Sequence, residues 1–202
     1  MAEVRSAAPA AAAVPAIANP AALGLGGFAL TTFVLSTHNA GWAPDLTWVG
    51  LAFFYGGLAQ FAAGMWEFKA GNTFGATAFS TYGAFWASLA TFIVLVLGGK
   101  VPAGDIDNDL GWFLLSFAIF NTYMLFWSAR VNMSVFLVFL TLEITEIILF
   151  IGFFNSGNKG IIQLGGYLGI ITAIVAWYGS AAVVANSMRA KPILPVGNAI
   201  WS

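Results

Sequence analysis

The chain has no cysteine, one histidine (His38), and only 7% charged residues in a length of 202. Without cysteine there are no disulfides and no thiolate metal sites. A lone histidine cannot build a metal centre, so neither a metal nor a cofactor is expected. Against 60% hydrophobic residues, so few charges leave too little polar surface to coat a soluble globule. A net charge of −1 with no basic run points to no nucleic-acid partner. Lys69, Lys100, Lys159 and Lys191 all lie between or beyond the apolar runs, which excludes a retinal protein, since that needs a lysine inside a late span. No aspartate lies inside an apolar run, and no nucleophile–base set clusters along the chain. A membrane enzyme is therefore not expected.

What is present is apolar length. A helix needs roughly 20 apolar residues to cross the hydrocarbon, and six such runs lie near 21–38, 46–66, 78–98, 111–130, 134–153 and 161–186. The sequence predicts an all-α integral membrane protein of six transmembrane helices arranged as three hairpins. Frequent Gly, Ala, Ser and Thr favour close helix packing in lipid, and no period-two alternation suggests a β-barrel. The expected organisation is a flexible tail at 1–18, a transmembrane domain at 19–188 and a second tail at 189–202. Arg5, Lys69, Arg130, Arg189 and Lys191 fall on one side. Lys100 and Lys159 fall on the other, beside Asp45, Asp105, Asp107 and Asp109. The positive-inside rule then puts both termini in the cytoplasm.

Asn19, Asn72 and Asn132 each stand at the opening of an odd-numbered span, as helix caps do. Three helix starts facing one side, with free backbone N–H groups and positive dipole ends, would make a mild anion-attracting vestibule. In Asn19-Pro-Ala-Ala-Leu-Gly-Leu-Gly-Gly-Phe28, Pro20 suits a first helical turn. Gly24, Gly26 and Gly27 strip side chains so that a neighbouring backbone or a solute can approach. Phe28 follows, with Thr31 and Thr32 on its face. The stretch Trp66 to Trp86 runs from a charged turn through Asn72 into an apolar helix carrying Tyr82, whose hydroxyl is one donor able to replace a water.

At these motifs the sequence resembles the acetate uptake transporter family, also called the GPR1/FUN34/YaaH family. The family's opening Asn-Pro-Ala-Pro-Leu-Gly-Leu is matched from Asn19 to Leu25, with Ala22 in place of the second Pro. Phe54-Tyr-Gly-Gly-Leu-Ala-Gln60 and the passage from Glu67 to Trp86 match as well. The resemblance implies a homo-oligomer, a hexamer of six-helix protomers similar in fold to the proton-gated urea channels. It also implies a path in each protomer for acetate, related small monocarboxylates and sometimes succinate. The family's constriction of Phe, Tyr and Leu falls on Phe28, Tyr82 and, in the fifth span, Leu140.

Further polar residues sit in the spans. Gln60, Asn121, Thr122 and Tyr123 could face a solute or bridge helices, and His38 stands at the outer end of the first span. Glu143 and Glu146 lie mid-span on one face, in a row with Leu140. Two carboxyls at that depth are expensive and are functional candidates by default, here for relaying a proton beside a carboxylate solute; stapling helices in neutral form is the other reading. The expectation is transport of acetate and related carboxylates across the cytoplasmic membrane, by symport or channel-like permeation. A hexameric channel for neutral solutes of the urea or amide type, or a membrane solute sensor, are the alternatives.

Overall fold

The computed structural model describes residues 17–201. The expected N-terminal tail, Arg5 included, lies almost wholly outside the described residues. Among these, every regular element is a helix, and six spans are long and apolar enough to cross a membrane. The first is α1, Ala21–Asn39. The second, Thr47–Lys69, is α2 (Thr47–Phe53), a π-helical turn (Phe54–Ala59) and α3 (Gln60–Lys69). Then follow α4 (Thr73–Leu97), α5 (Ile106–Ser128), α6 (Met133–Phe154) and α7 (Lys159–Ser187). We call the face where α1, α4 and α6 begin the near face, and the opposite one the far face.

Two spans start earlier than hydropathy predicts, for local polar reasons. The third begins at Thr73, not 78, because the Asn72 side chain accepts from the Gly75 N–H at 3.1 Å and so fixes the start. The fourth begins at Ile106, not 111. Asp107 and Asp109 occupy its first turn, where the positive end of the helix dipole favours acids. Asn132 caps α6 by accepting from the Val135 N–H at 2.9 Å, and Asn19 accepts from the Ala21 N–H at 2.9 Å beside Pro20. Gly71, at φ 77°, turns the chain between α3 and the Asn72 cap in a conformation a side chain resists.

Packing follows the small residues. α1 packs along α7 and closes the bundle, α6 lies between α5 and α7, and α3 pairs with α4. The approach expected of the α1 glycines is present: a Cβ on Gly27 would lie 2.7 Å from the Tyr55 carbonyl oxygen, and one on Gly24 would lie 2.7 Å from the Phe79 ring. On the opposing side, a Cβ on Gly56 would meet Thr31 Oγ1 at 2.7 Å, so the π-helical turn sits where α1 and the second span touch most closely. α4 and α5 differ from the other consecutive pairs. Their backbones barely meet, and aromatic rings join them, with Phe85 at 4.8 Å from Phe117 and Tyr82 at 5.6 Å from Phe120.

The C-terminal segment lies along the near face. Asn186 Oδ1 accepts from the N–H groups of Ile193 and Leu194, the Tyr178 hydroxyl donates to the Pro195 carbonyl at 2.6 Å, and Ser134 N–H donates to the Val196 carbonyl at 2.9 Å.

Candidate functional site

Two cavities enter the bundle from opposite faces. The far cavity holds about 470 Å³, and the near cavity about 200 Å³. Three side chains belong to both linings: Phe28 of α1, Tyr82 of α4 and Leu142 of α6. All three are buried, at 4%, 3% and 7% exposure. The Phe28 and Tyr82 rings meet edge to face with centroids 5.7 Å apart. A wall made of these three side chains thus stands between the two spaces.

Each wall residue is delivered by local sequence. Gly24, Gly26 and Gly27 let α1 sink into the bundle, which carries Phe28 inward. The aromatic ladder holds α4 away from α5, and Tyr82 stands in the gap with Phe85, Phe117 and Phe120 as ring neighbours. Leu142 and Glu146 are one helical turn apart on α6, so both face the far cavity.

The far cavity is largely apolar, from Leu35 and Leu89 to Leu149 and Phe153, with Thr32, Thr145 and Glu146 deep in it and His38, Lys159 and Gln163 among its other polar residues. His38 Nδ1 lies 3.1 Å from the Ala43 carbonyl oxygen, which ties the ring to the joint after α1. The near cavity is lined by Asn19, Asn72, Asn132, Gln60, Glu67 and Ser134. The three helix starts do converge there. Their capping and neighbouring N–H groups are already taken, by Asn oxygens and, at Ser134, by the Val196 carbonyl. The expectation of free backbone N–H groups is therefore corrected at these positions: the asparagines that mark the helix starts also occupy their donors. Glu67 is 2% exposed, accepts from Asn72 Nδ2 at 2.8 Å through Oε2, and has no partner at Oε1.

Behind the wall lies a polar network. The Tyr82 hydroxyl is 3.0 Å from Asn121 Oδ1 and 3.2 Å from Glu146 Oε1, two acceptors for one hydrogen. Asn121 Nδ2 donates to Glu143 Oε2 at 2.7 Å and to the Phe139 carbonyl at 3.0 Å. Thr122 Oγ1 reaches Glu143 Oε1 at 2.7 Å. Glu146 Oε2 is buried without a partner.

The structure sorts the residues expected from sequence. Phe28, Tyr82, Asn19, Asn72, Thr32, Gln60 and Glu146 line one cavity or both. Asn121, Thr122, Glu143 and Thr31 line neither; Thr31 is buried against Gly56. Leu140 also lines neither cavity, and Leu142 stands where Leu140 was expected. At about 100° per residue, Leu142 lies roughly 40° from Glu146 around α6, whereas Leu140 lies roughly 120° away. The i, i+3, i+6 row drifts off the face it was meant to mark. The sequence reading also missed Glu67, Trp48 and Trp86. Glu67 had a signal: it sits seven residues after Gln60, two turns along one face of α3.

Known proteins share the fold. The profile of the GPR1/FUN34/yaaH family matches residues 4–198. Acetate permease A of Emericella nidulans is 44% identical over 204 residues, spanning 92% of this chain and 67% of that protein. The succinate-acetate/proton symporter SatP of Escherichia coli is 38% identical over 184 residues, covering 90% of this chain and 96% of the symporter. A solved structure of the bacterial acetate channel SatP superposes with a TM-score of 0.85 at 37% identity, over 90% of this chain and 99% of that one. These relatives are a permease, a symporter and a channel, none of them an enzyme. The chain is a multi-pass helical membrane protein, and it belongs to the GPR1/FUN34/yaaH family.

Proposed function

We propose that the chain carries acetate and related small monocarboxylates, with succinate as a larger substrate, across the cytoplasmic membrane. The path runs from the far cavity, through a constriction of Phe28, Tyr82 and Leu142, into the near cavity. The observation that carries this reading is the pair of opposed cavities sharing those three side chains as their common wall. The names of the relatives supply the solute class. An unpaired carboxylate in an apolar ring loses hydration worth several kcal/mol, so the wall is the barrier.

Proton-coupled passage fits the site best. Glu146 borders the path on the far side and Glu67 on the near side. An ionised carboxyl on either flank repels a bare carboxylate. A proton shared between the two turns that repulsion into a hydrogen bond. We assign the travelling proton to Glu146 and not to a Glu143–Glu146 relay. Asn121 and Tyr82 stand between those two carboxyls, and an amide passes no proton without changing tautomer. Both termini are assigned to the cytoplasm on the lysine and arginine asymmetry. The assembly is a homo-oligomer, a hexamer as in the family resemblance. Glu143 and Thr122 reach the α5/α6 flank, where a neighbouring protomer would cover a carboxyl that lipid tolerates poorly.

Uptake of labelled acetate into liposomes holding the purified protein, with and without an imposed pH gradient, tests this. Uptake that follows the gradient supports symport, and uptake indifferent to it shows a channel. Passage of urea in place of acetate would show the neutral-solute alternative, and binding without flux would show a sensor.

A further inference from the structure

The network behind the wall does work that the solute path does not explain. Asn121 is fully buried yet borders neither cavity. Its amide nitrogen has two acceptors, Glu143 Oε2 at 2.7 Å and the Phe139 carbonyl at 3.0 Å. Because an amide donates only through nitrogen, those acceptors decide which way the side chain points, and Oδ1 is left toward the Tyr82 hydroxyl at 3.0 Å. Glu143 is itself held, since Thr122 Oγ1 lies 2.7 Å from its Oε1. A chain of side chains thus runs from the α5/α6 flank to the constriction, Thr122 to Glu143 to Asn121 to Tyr82. The Tyr82 hydroxyl has one hydrogen and a rival acceptor in Glu146 Oε1 at 3.2 Å.

We propose that Glu143 and Asn121 are positioning residues for the constriction: Glu143 locks the Asn121 amide, and the locked carbonyl holds the Tyr82 phenol across the bore. The inference rests on the transport reading of Tyr82 given above. Neither residue meets the solute. Their effect is to fix where the hydroxyl stands and which acceptor competes for its hydrogen, and so to set the preference for a small carboxylate over a bulkier one. Glu143 acts here through hydrogen bonding, not through its charge.

The substitutions separate cleanly. Glu143→Leu leaves Thr122 the Ala118 carbonyl at 2.9 Å and leaves Asn121 Nδ2 one of its two acceptors, the Phe139 carbonyl, so one amide hydrogen loses its partner and the amide loses half of its lock. Glu143→Gln keeps an acceptor oxygen for Asn121 and removes the charge. Asn121→Leu releases Tyr82 directly, while Glu143 keeps Thr122 as its donor, and it carries the test if Glu143→Leu does not assemble. The measurement is the ratio of acetate to lactate uptake in liposomes, in the wild-type and Tyr82→Phe backgrounds. Losing one hydrogen bond predicts a fall in that ratio of about three- to tenfold for Glu143→Leu and for Asn121→Leu. Glu143→Gln should keep the wild-type ratio, and neither Leu substitution should lower it further once Tyr82→Phe is present. A fall that persists undiminished in the Tyr82→Phe background overturns the proposal, because the residues would then act elsewhere. So does a Glu143→Gln variant as unselective as Glu143→Leu. Wild-type protein that moves no carboxylate would instead sink the transport reading, before any substitution is made.

Discussion

Shortening Leu142 to Ala tests the wall most directly, because Leu142 is the one member that contributes bulk without a ring or a hydroxyl. The change removes three carbons, about 2–3 kcal/mol of burial at roughly 0.8 kcal/mol per carbon. The residual-cavity penalty should be small, since open space already lies on both sides. The stability cost therefore belongs at the low end of the roughly 2–5 kcal/mol range for Leu→Ala. Permeation changes more than stability. If the wider bore lets a bulkier carboxylate keep two water hydrogen bonds at about 1 kcal/mol each, the barrier falls by about 2 kcal/mol, on the order of thirtyfold in rate. The assay is liposome uptake of lactate or succinate relative to acetate. Leu140→Ala is the control, matched in chemistry but away from both cavities. An unchanged ratio in Leu142→Ala, or an equal change in Leu140→Ala, would refute the assignment of the wall.

Glu146→Gln keeps shape and hydrogen bonding but removes titration, so pH-gradient-driven acetate uptake should fall to the level seen without a gradient while sizing in detergent stays normal. Glu67→Gln should leave the Asn72 contact partly intact and speed acetate exit into a neutral compartment, read as counterflow; slower exit would show that the near-side carboxyl assists passage. Gly56→Ala places a methyl 2.7 Å from Thr31 Oγ1 and 2.8 Å from Trp86 Cδ1, an overpacking cost of about 1–3 kcal/mol. Its melting temperature should drop, and pairing it with Thr31→Ser should restore part of the loss.

The fold was legible because the bilayer makes few demands and the chain meets them openly. Six apolar runs, asparagine caps at odd-numbered spans and glycines on α1 each leave a mark in one dimension. Phe28 and Tyr82 were marked by the family resemblance, both sitting inside well-matched motifs, and both line the two cavities. Leu140 and Leu142 were not separable from sequence. Residues 137–142 of α6 are apolar or weakly polar throughout, and a two-residue shift changes the facing side by about 200°. Glu143 and Glu146 read as one pair because residues three apart share a face on an ideal helix. In the bundle their offset of roughly 60° is enough to put one beside the path and the other beyond it. The signal at Glu67, its spacing from Gln60, was outweighed by its setting. A carboxylate two residues before Lys69 looks like part of a solvated turn, and only the return of α4 through Gly71 and Asn72 buries it.

On the transport reading proposed above, capping and solute recognition share one residue type in the near cavity. An asparagine at a helix start turns its oxygen to the backbone, as the cap Asn132 does toward the Val135 N–H and Asn19, one residue before the cap position Pro20, does toward the Ala21 N–H. The end of the amide left for the cavity is then the nitrogen, which can only donate. Aspartate in the same place would cap equally well, yet it would set a second negative oxygen in the path of an anion. Serine would cap but offer a shorter reach. On that reading, asparagine at Asn19 and Asn132 would favour a solute that accepts hydrogen bonds, and Asn72, whose nitrogen is engaged by Glu67 at 2.8 Å, makes the exception that ties the near-side carboxyl to the start of the tyrosine-bearing helix. Asn19→Asp and Asn132→Asp should each fold like the wild type and weaken acetate uptake, with a steeper dependence on proton supply. If both variants instead transport as the wild type does, the asparagines serve the helices alone.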